Sequence, residues 1–102
     1  MISEYTDIER YALFFILMSI MEADYIIDEC EKTFLNRLFV EFEIKEHEIS
    51  IISNMEQRQS EHIVKEMVLS KKKFAVNLFN QMAMADDVLD PRELAIIDRI
   101  LT

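Results

Sequence analysis

Six carboxylates occupy matching places in two copies of one short pattern. Ala23-Asp24-Tyr25-Ile26-Ile27-Asp28-Glu29-Cys30-Glu31 aligns with Ala85-Asp86-Asp87-Val88-Leu89-Asp90-Pro91-Arg92-Glu93, an offset of 62 residues. Asp24, Asp28, Glu31, Asp86, Asp90 and Glu93 are therefore the side chains whose type and spacing point to chemistry. An all-oxygen donor set suits calcium or magnesium better than zinc or copper, which favour nitrogen and sulfur ligands. The spacing excludes an EF-hand, which needs alternating oxygen ligands, a central Gly and a Glu at the twelfth position. Here apolar Ile26 stands where that loop requires oxygen. The same residues also have a plainer use. Asp28 with Glu31, and Asp90 with Glu93, fit a helix N-cap and its third-position partner, with Pro91 at the favoured first position. Each cap would contribute about 1 kcal/mol. Capping leaves Asp24 and Asp86 unexplained, because the end of a helix disfavours an anion. If the two turns meet, Glu22, Glu29 and Asp87 crowd around the six. Even in water, two like charges at 4 Å cost about 1 kcal/mol. Arg37, Arg99, raised carboxyl pKa values or a bound divalent ion would offset that repulsion.

The elements that must position these residues are helices. Thr6 with Glu9 has the form of a capping box and predicts a first helix over Thr6 to Glu22, apolar on nearly every side, as a central helix is. Asp28 opens a second helix, with Phe34, Leu35, Leu38, Phe39 and Phe42 on an inward stripe, fading near Glu43. Lys45 to Met55 places Ile49, Ile52 and Met55 on one side. Ser60, Ile63, Val64, Met67 and Val68 suggest a short fourth helix. Lys71 onward carries Phe74, Val76, Leu78, Phe79 and Met82 in a fifth, and Asp90-Pro91 starts a last helix through Leu94, Ile97, Ile100 and Leu101. The repeat extends into these elements as Phe34/Ile96, Leu35/Ile97, Arg37/Arg99, Leu38/Ile100 and Phe39/Leu101. The expected fold is an all-α compact bundle of five to six helices with two related helix-turn-helix units, one domain over residues 1–102.

Composition agrees with helices throughout. The chain has 51% apolar residues, one Pro, one Cys and no Gly, where average usage would supply about seven Gly. Hairpins, bulges and phosphate-binding loops lean on Gly, so they are disfavoured. Twenty acidic against 11 basic residues give a net charge of -9, which repels polyphosphates and argues against nucleic-acid binding. The stretch from Tyr11 to Met21 is too short for the roughly 20 residues that span a bilayer, so no transmembrane segment is expected. The start of the chain lacks the positive region of a signal peptide, and the single Cys30 forbids an internal disulfide, so a cytoplasmic location is the expectation.

The doubled pattern of apolar helix, Ala-Asp, branched apolar residue and Asp-x-x-Glu resembles the TerB-like, tellurite-resistance family of small all-helical bacterial domains. The likeness covers Phe14 to Phe39 and Val76 to Leu101. It implies that the motif acids at Asp24, Asp28, Glu31, Asp86, Asp90 and Glu93 gather into a negative patch suspected of binding metal ions. It also implies a setting of tellurite or chemical stress and a role as an interaction or sensing module at the inner membrane face. The family usually places Gly after Ala-Asp, whereas this chain has Tyr25 and Asp87 there, so the helix stop must be made differently.

The remaining candidates favour ordinary roles. Cys30 sits among Asp28, Glu29 and Glu31, which suppress thiolate formation. His47 and His62 have no Cys or His at a ligand spacing and read as surface residues. No nucleophile elbow or catalytic triad order is visible, so an enzyme is not expected. Lys71-Lys72-Lys73 is the only basic run. It reads as a solvated helix start, or as a contact for anionic lipid or for the acidic patch of another copy. The methionines read as core filler, with an adaptable groove for a partner helix as the other use. Two functions follow as expectations. One is a non-enzymatic TerB-like module holding a divalent cation or a basic partner. The other is a protein interaction or self-association domain whose acids are only caps.

Overall fold

The computed structural model describes residues 4–23, 29–84 and 91–101. Six helices fill them: α1 Asp7–Glu22, α2 Glu29–Glu41, α3 Glu46–Ser53, α4 Gln57–Lys65, α5 Leu69–Ala83 and α6 Pro91–Leu101, with no strand among the described residues. The capping box that opens α1 forms as expected. The Thr6 N–H donates to Glu9 Oε1 at 2.9 Å, and the Glu9 N–H donates to Thr6 Oγ1 at 3.2 Å. These two bonds satisfy backbone donors that a helix start leaves orphaned.

Because α1 is apolar around its circumference, it can be covered on all sides, and it contacts each of the other five helices. Leu13, Phe14, Ile16, Leu17 and Ile20 are wholly buried. The Phe14 ring stacks on Phe39 with centroids 5.0 Å apart and meets Phe42 edge-on at 5.2 Å, fixing α2 against α1. This is the offset-stacked and T-shaped geometry that ring quadrupoles favour.

The repeat seen in the sequence persists as a repeat in burial. Leu13/Ala75, Ile16/Leu78, Leu17/Phe79, Ile20/Met82 and Met21/Ala83 are buried in both copies, as are Glu31/Glu93, Leu35/Ile97 and Leu38/Ile100. Glu22/Met84, Asn36/Asp98 and Arg37/Arg99 are exposed in both. Helix contacts follow the same relation. α1 and α5 touch, α2 packs on both of them, α6 packs on both of them, and α2 and α6 share no contact among the described residues. Exchanging the pair α1–α2 for α5–α6 leaves that pattern unchanged, as an internal pseudo-twofold requires. α3 and α4 form the irregular middle that joins the two units.

Two boundaries differ from expectation. The fourth helix starts at Gln57 and ends at Lys65 rather than running to Val68, because Glu66 caps it and Met67 turns inward to the core. Val68 is then extended and exposed, and α5 begins at Leu69, two residues before the lysine run. In α3, Ile52 is buried whereas Ile49 faces out, and Met55, past the end of that helix, is half-buried.

The end of α2 shows how a chain without Gly makes a left-handed stop. Glu43 has φ 54°, the one positive φ among the described residues. Its N–H donates to the Val40 carbonyl at 3.1 Å, and the Ile44 N–H donates to the Phe39 carbonyl at 2.9 Å. Those two bonds make a Schellman motif, and Ile44 and Phe39 both pack on the core as such motifs favour. A side chain in the left-handed region costs roughly 1–2 kcal/mol, which Gly avoids at the expense of a freer unfolded chain. Glu43→Gly is therefore expected to stabilise the fold by about 0.5–1 kcal/mol, read as a rise in thermal midpoint.

Candidate functional site

The acidic motifs lie where α1 hands over to α2 and α5 to α6. Description of α1 reaches Ala23, its C-cap, whose N–H donates to the Ile20 carbonyl at 3.3 Å. The matching end of α5 is Met84, whose N–H donates to the Asn80 carbonyl at 3.1 Å. Asp24, Asp28, Asp86 and Asp90 lie outside the described residues, as do Tyr25 and Asp87. Glu31 and Glu93 are described. They occupy the third position of α2 and of α6, and only 1% and 2% of their surface is exposed.

A carboxylate at the first turn of a helix is held by the dipole and by the orphan N–H groups there. Burial at this depth needs that compensation. The positions on either side of these glutamates face outward, Cys30 and Lys32 in one copy and Arg92 in the other. Arg99, a candidate counter-ion for the motif acids, grips Glu61, with Nε 3.1 Å from Oε1 and one terminal nitrogen 3.1 Å from Oε2. Arg37 is exposed on α2. His47 and His62 are exposed, as expected, and Cys30 is exposed. Among the described residues, no three His, Cys, Asp or Glu side chains stand together as a metal cluster.

Sequence reasoning missed three polar networks that tie the helices to one another. The first centres on Glu48, a buried residue in the opening turn of α3. Its Oε1 accepts the Lys45 N–H at 2.9 Å, half of a capping box, since a Lys side chain has no acceptor to complete it. Its Oε2 accepts the Tyr11 hydroxyl at 2.7 Å and an Arg10 nitrogen at 3.2 Å. Arg10 also reaches Asp7 at 2.8 Å and the Phe42 carbonyl at 3.2 Å. The Lys45 and Tyr11 bonds, with Arg10 beside them, hold the Glu48 carboxyl below the usual range, and the same bond raises the Tyr11 hydroxyl.

The second network joins α5 to the start of α1. Lys71 Nζ lies 2.9 Å from Glu9 Oε1, and the Tyr5 hydroxyl donates to the Lys71 carbonyl at 2.7 Å. Burial pushes the Tyr5 hydroxyl up to about 12, and the charge of Glu9 adds to it. Burial alone would raise Glu9, but the Thr6 N–H and Lys71 outweigh it and its pKa falls. Lys71 thus has a structural partner and is not a solvated charge. In the third network, Ser19 Oγ donates to Gln57 Oε1 at 2.8 Å, and Gln57 Nε2 donates to Glu61 Oε2 at 2.6 Å. With Arg99 on Glu61, it strings α1, α4 and α6 together. Glu61 is desolvated, yet Arg99 and Gln57 carry its pKa below the usual value. The links that cross between helices in all three networks join residues more than 30 apart, so periodicity along the chain gives no sign of them.

No helix in the described residues is long and apolar enough to cross a membrane. Comparison with protein-family models, with curated proteins and with solved structures finds no match to the chain.

Proposed function

We propose that this chain is a non-catalytic helical module of TerB-like type that holds a divalent cation, calcium or magnesium, or a basic partner group, at its two acidic helix-turn-helix junctions. A chemical-stress setting, with tellurite among the agents, follows from the resemblance. The observation that carries the reading is the equivalence of Glu31 and Glu93. Two related helix pairs each bury one carboxylate at the same position of the same turn, in a chain whose acid recurs at Asp24, Asp28, Asp86 and Asp90 with that register. A duplicated oxygen-rich junction suits a hard cation.

The depth of the two glutamates favours a second reading, in which the motif acids are helix caps and function resides in a protein-binding surface. Melting the chelated protein against calcium and magnesium separates the two. Binding confined to the native state should stabilise by about 2.7 kcal/mol at 100 times the dissociation constant. Asp24→Asn with Asp86→Asn should abolish that response. A melting temperature indifferent to millimolar ion assigns the motif to capping.

A further inference from the structure

The outer face of α5 is built unlike the rest of this acidic surface. Ala75, Leu78, Phe79 and Met82 face the core, which turns Leu69, Lys73, Asn77 and Asn80 outward. Along one side of that outward stripe runs a groove of about 410 Å³ between α5 and α6, lined by Leu69, Lys72, Lys73, Val76, Asn80 and Leu101. Along the other side runs a groove of about 750 Å³ towards α2, to which Phe34, Arg37 and Met84 contribute. Asn77 and Asn80 line both, so the two form one continuous surface.

Half of the large apolar side chains exposed among the described residues lie on or beside this surface, the others being Ile8, Val40, Ile49 and Ile51. Val68 is 62% exposed, Leu69 66%, Met84 55% and Leu101 55%. A single exposed Leu carries no message, but several around concave surface mark an interaction site. The charge is inverted as well. Among the described residues, Lys72, Lys73 and Arg37 line the grooves against the one carboxylate of Glu29, an excess of two positive charges on a chain of net charge -9.

We propose that this face of α5 docks an amphipathic helix of a partner protein, apolar along one stripe and acidic on its flanks. The stripe from Leu69 to Met84 runs about 22 Å at the α-helical rise, the length of a four-turn helix. Grooves flanking a helical ridge accept a second helix by interdigitation of side chains. Leu69 and Val76 stand seven residues apart and present the apolar contacts such a helix needs. Lys72 and Lys73 select its acidic flank, and the amides of Asn77 and Asn80 serve its polar edge. A second copy of this chain fits less well, because a twofold pairing through this face sets two equally positive patches together inside two acidic molecules. An anionic membrane also fits less well. Its recognition uses clusters of about four to eight basic residues, more than this patch offers, and the apolar side chains here line grooves.

The test is an NMR titration of the labelled full chain with a synthetic peptide about 18 residues long, carrying Leu at helical spacing and Glu on its flanks. The amides of Leu69 to Asn80 and of Leu101 should shift. Lys72→Glu with Lys73→Glu should weaken binding about tenfold or more, whereas a peptide with Lys in place of each Glu should not bind. Leu69→Ser, at an exposed site that leaves the fold intact, should weaken binding independently of charge. The proposal is overturned by absence of shifts at millimolar peptide, or by equal binding of the Lys peptide. It is also overturned if the face responds to mixed phosphatidylcholine and phosphatidylserine vesicles in place of the peptide, or to concentration of the protein alone.

Discussion

Replacing Phe14 by alanine is expected to cost about 3–5 kcal/mol, a large part of the 5–15 kcal/mol that holds a domain of this size together. Phe14 has no exposed surface and packs one face on Phe39 and one edge on Phe42. Truncation loses the transfer energy of the ring and leaves a cavity between α1 and α2 that rigid neighbours fill only in part. The aromatic pairs add about 0.5–1.5 kcal/mol each beyond burial. Its repeat counterpart, Val76, is half-buried and lines the groove beside α5. Val76→Ala should therefore cost less than 2 kcal/mol, roughly the transfer of the methylene-sized groups removed. Urea unfolding of the two variants gives the comparison, with unchanged slopes confirming that the difference lies in stability.

Glu48→Ala is the second large effect, about 2–3 kcal/mol. The carboxylate accepts from the Lys45 N–H, the Tyr11 hydroxyl and Arg10 at once. Removing it leaves three donors to find water at a largely buried point, and a donor so stranded costs more than the net gain of the bond it loses. Glu48→Gln keeps an acceptor for Lys45 and should cost less. The pH dependence has a definite sign. Because the folded carboxyl titrates below its ordinary value, its contribution is complete above the normal carboxylate range, about pH 4.3. It is lost as pH falls through the folded pKa. Glu9 and Glu61 are shifted the same way and act in the same acid window. Denaturant melts between neutral pH and pH 3 should show the wild type losing more stability than Glu48→Ala, since the variant no longer holds that ionisation.

Local rules reached as far as local causes do. Thr6 and Glu9 marked the start of α1 because both partners of a capping box lie within one turn. The offset between Ala23 and Ala85 foretold which residues are buried together, since Leu35 and Ile97, or Leu38 and Ile100, keep the same face of related helices. Glu43 was not legible as a left-handed stop. Its conformation is imposed by the Schellman bonds and by Ile44 packing inward, and those outweigh an intrinsic preference of roughly 1–2 kcal/mol. The end of α4 at Lys65 was hidden for a similar reason, because Met67 reaches the core from a turn as readily as from a helix.

Within the candidate site, sequence alone identified Glu31 and Glu93 as equivalent but could not assign their burial. The first turn of a helix can face in or out, and its neighbours decide which. The networks of Glu48, Lys71 and Glu61 depend on side chains brought together from distant helices, which no spacing rule records. The basic run shows the consequence. Lys71 is engaged by Glu9, while Lys72 and Lys73 line the α5 groove, so one tripeptide serves two purposes.

The central claim, that the duplicated acidic junctions bind a divalent cation, is tested most directly by adding manganese, a paramagnetic hard cation, to the chelated, isotope-labelled protein. The account predicts selective broadening of amides at the starts of α2 and α6, around Glu29 to Glu31 and Arg92 to Glu93, with both regions relieved by excess calcium or magnesium. Broadening spread evenly over the acidic surface, or centred on the exposed acids Glu41 and Glu43 at the end of α2, would contradict it.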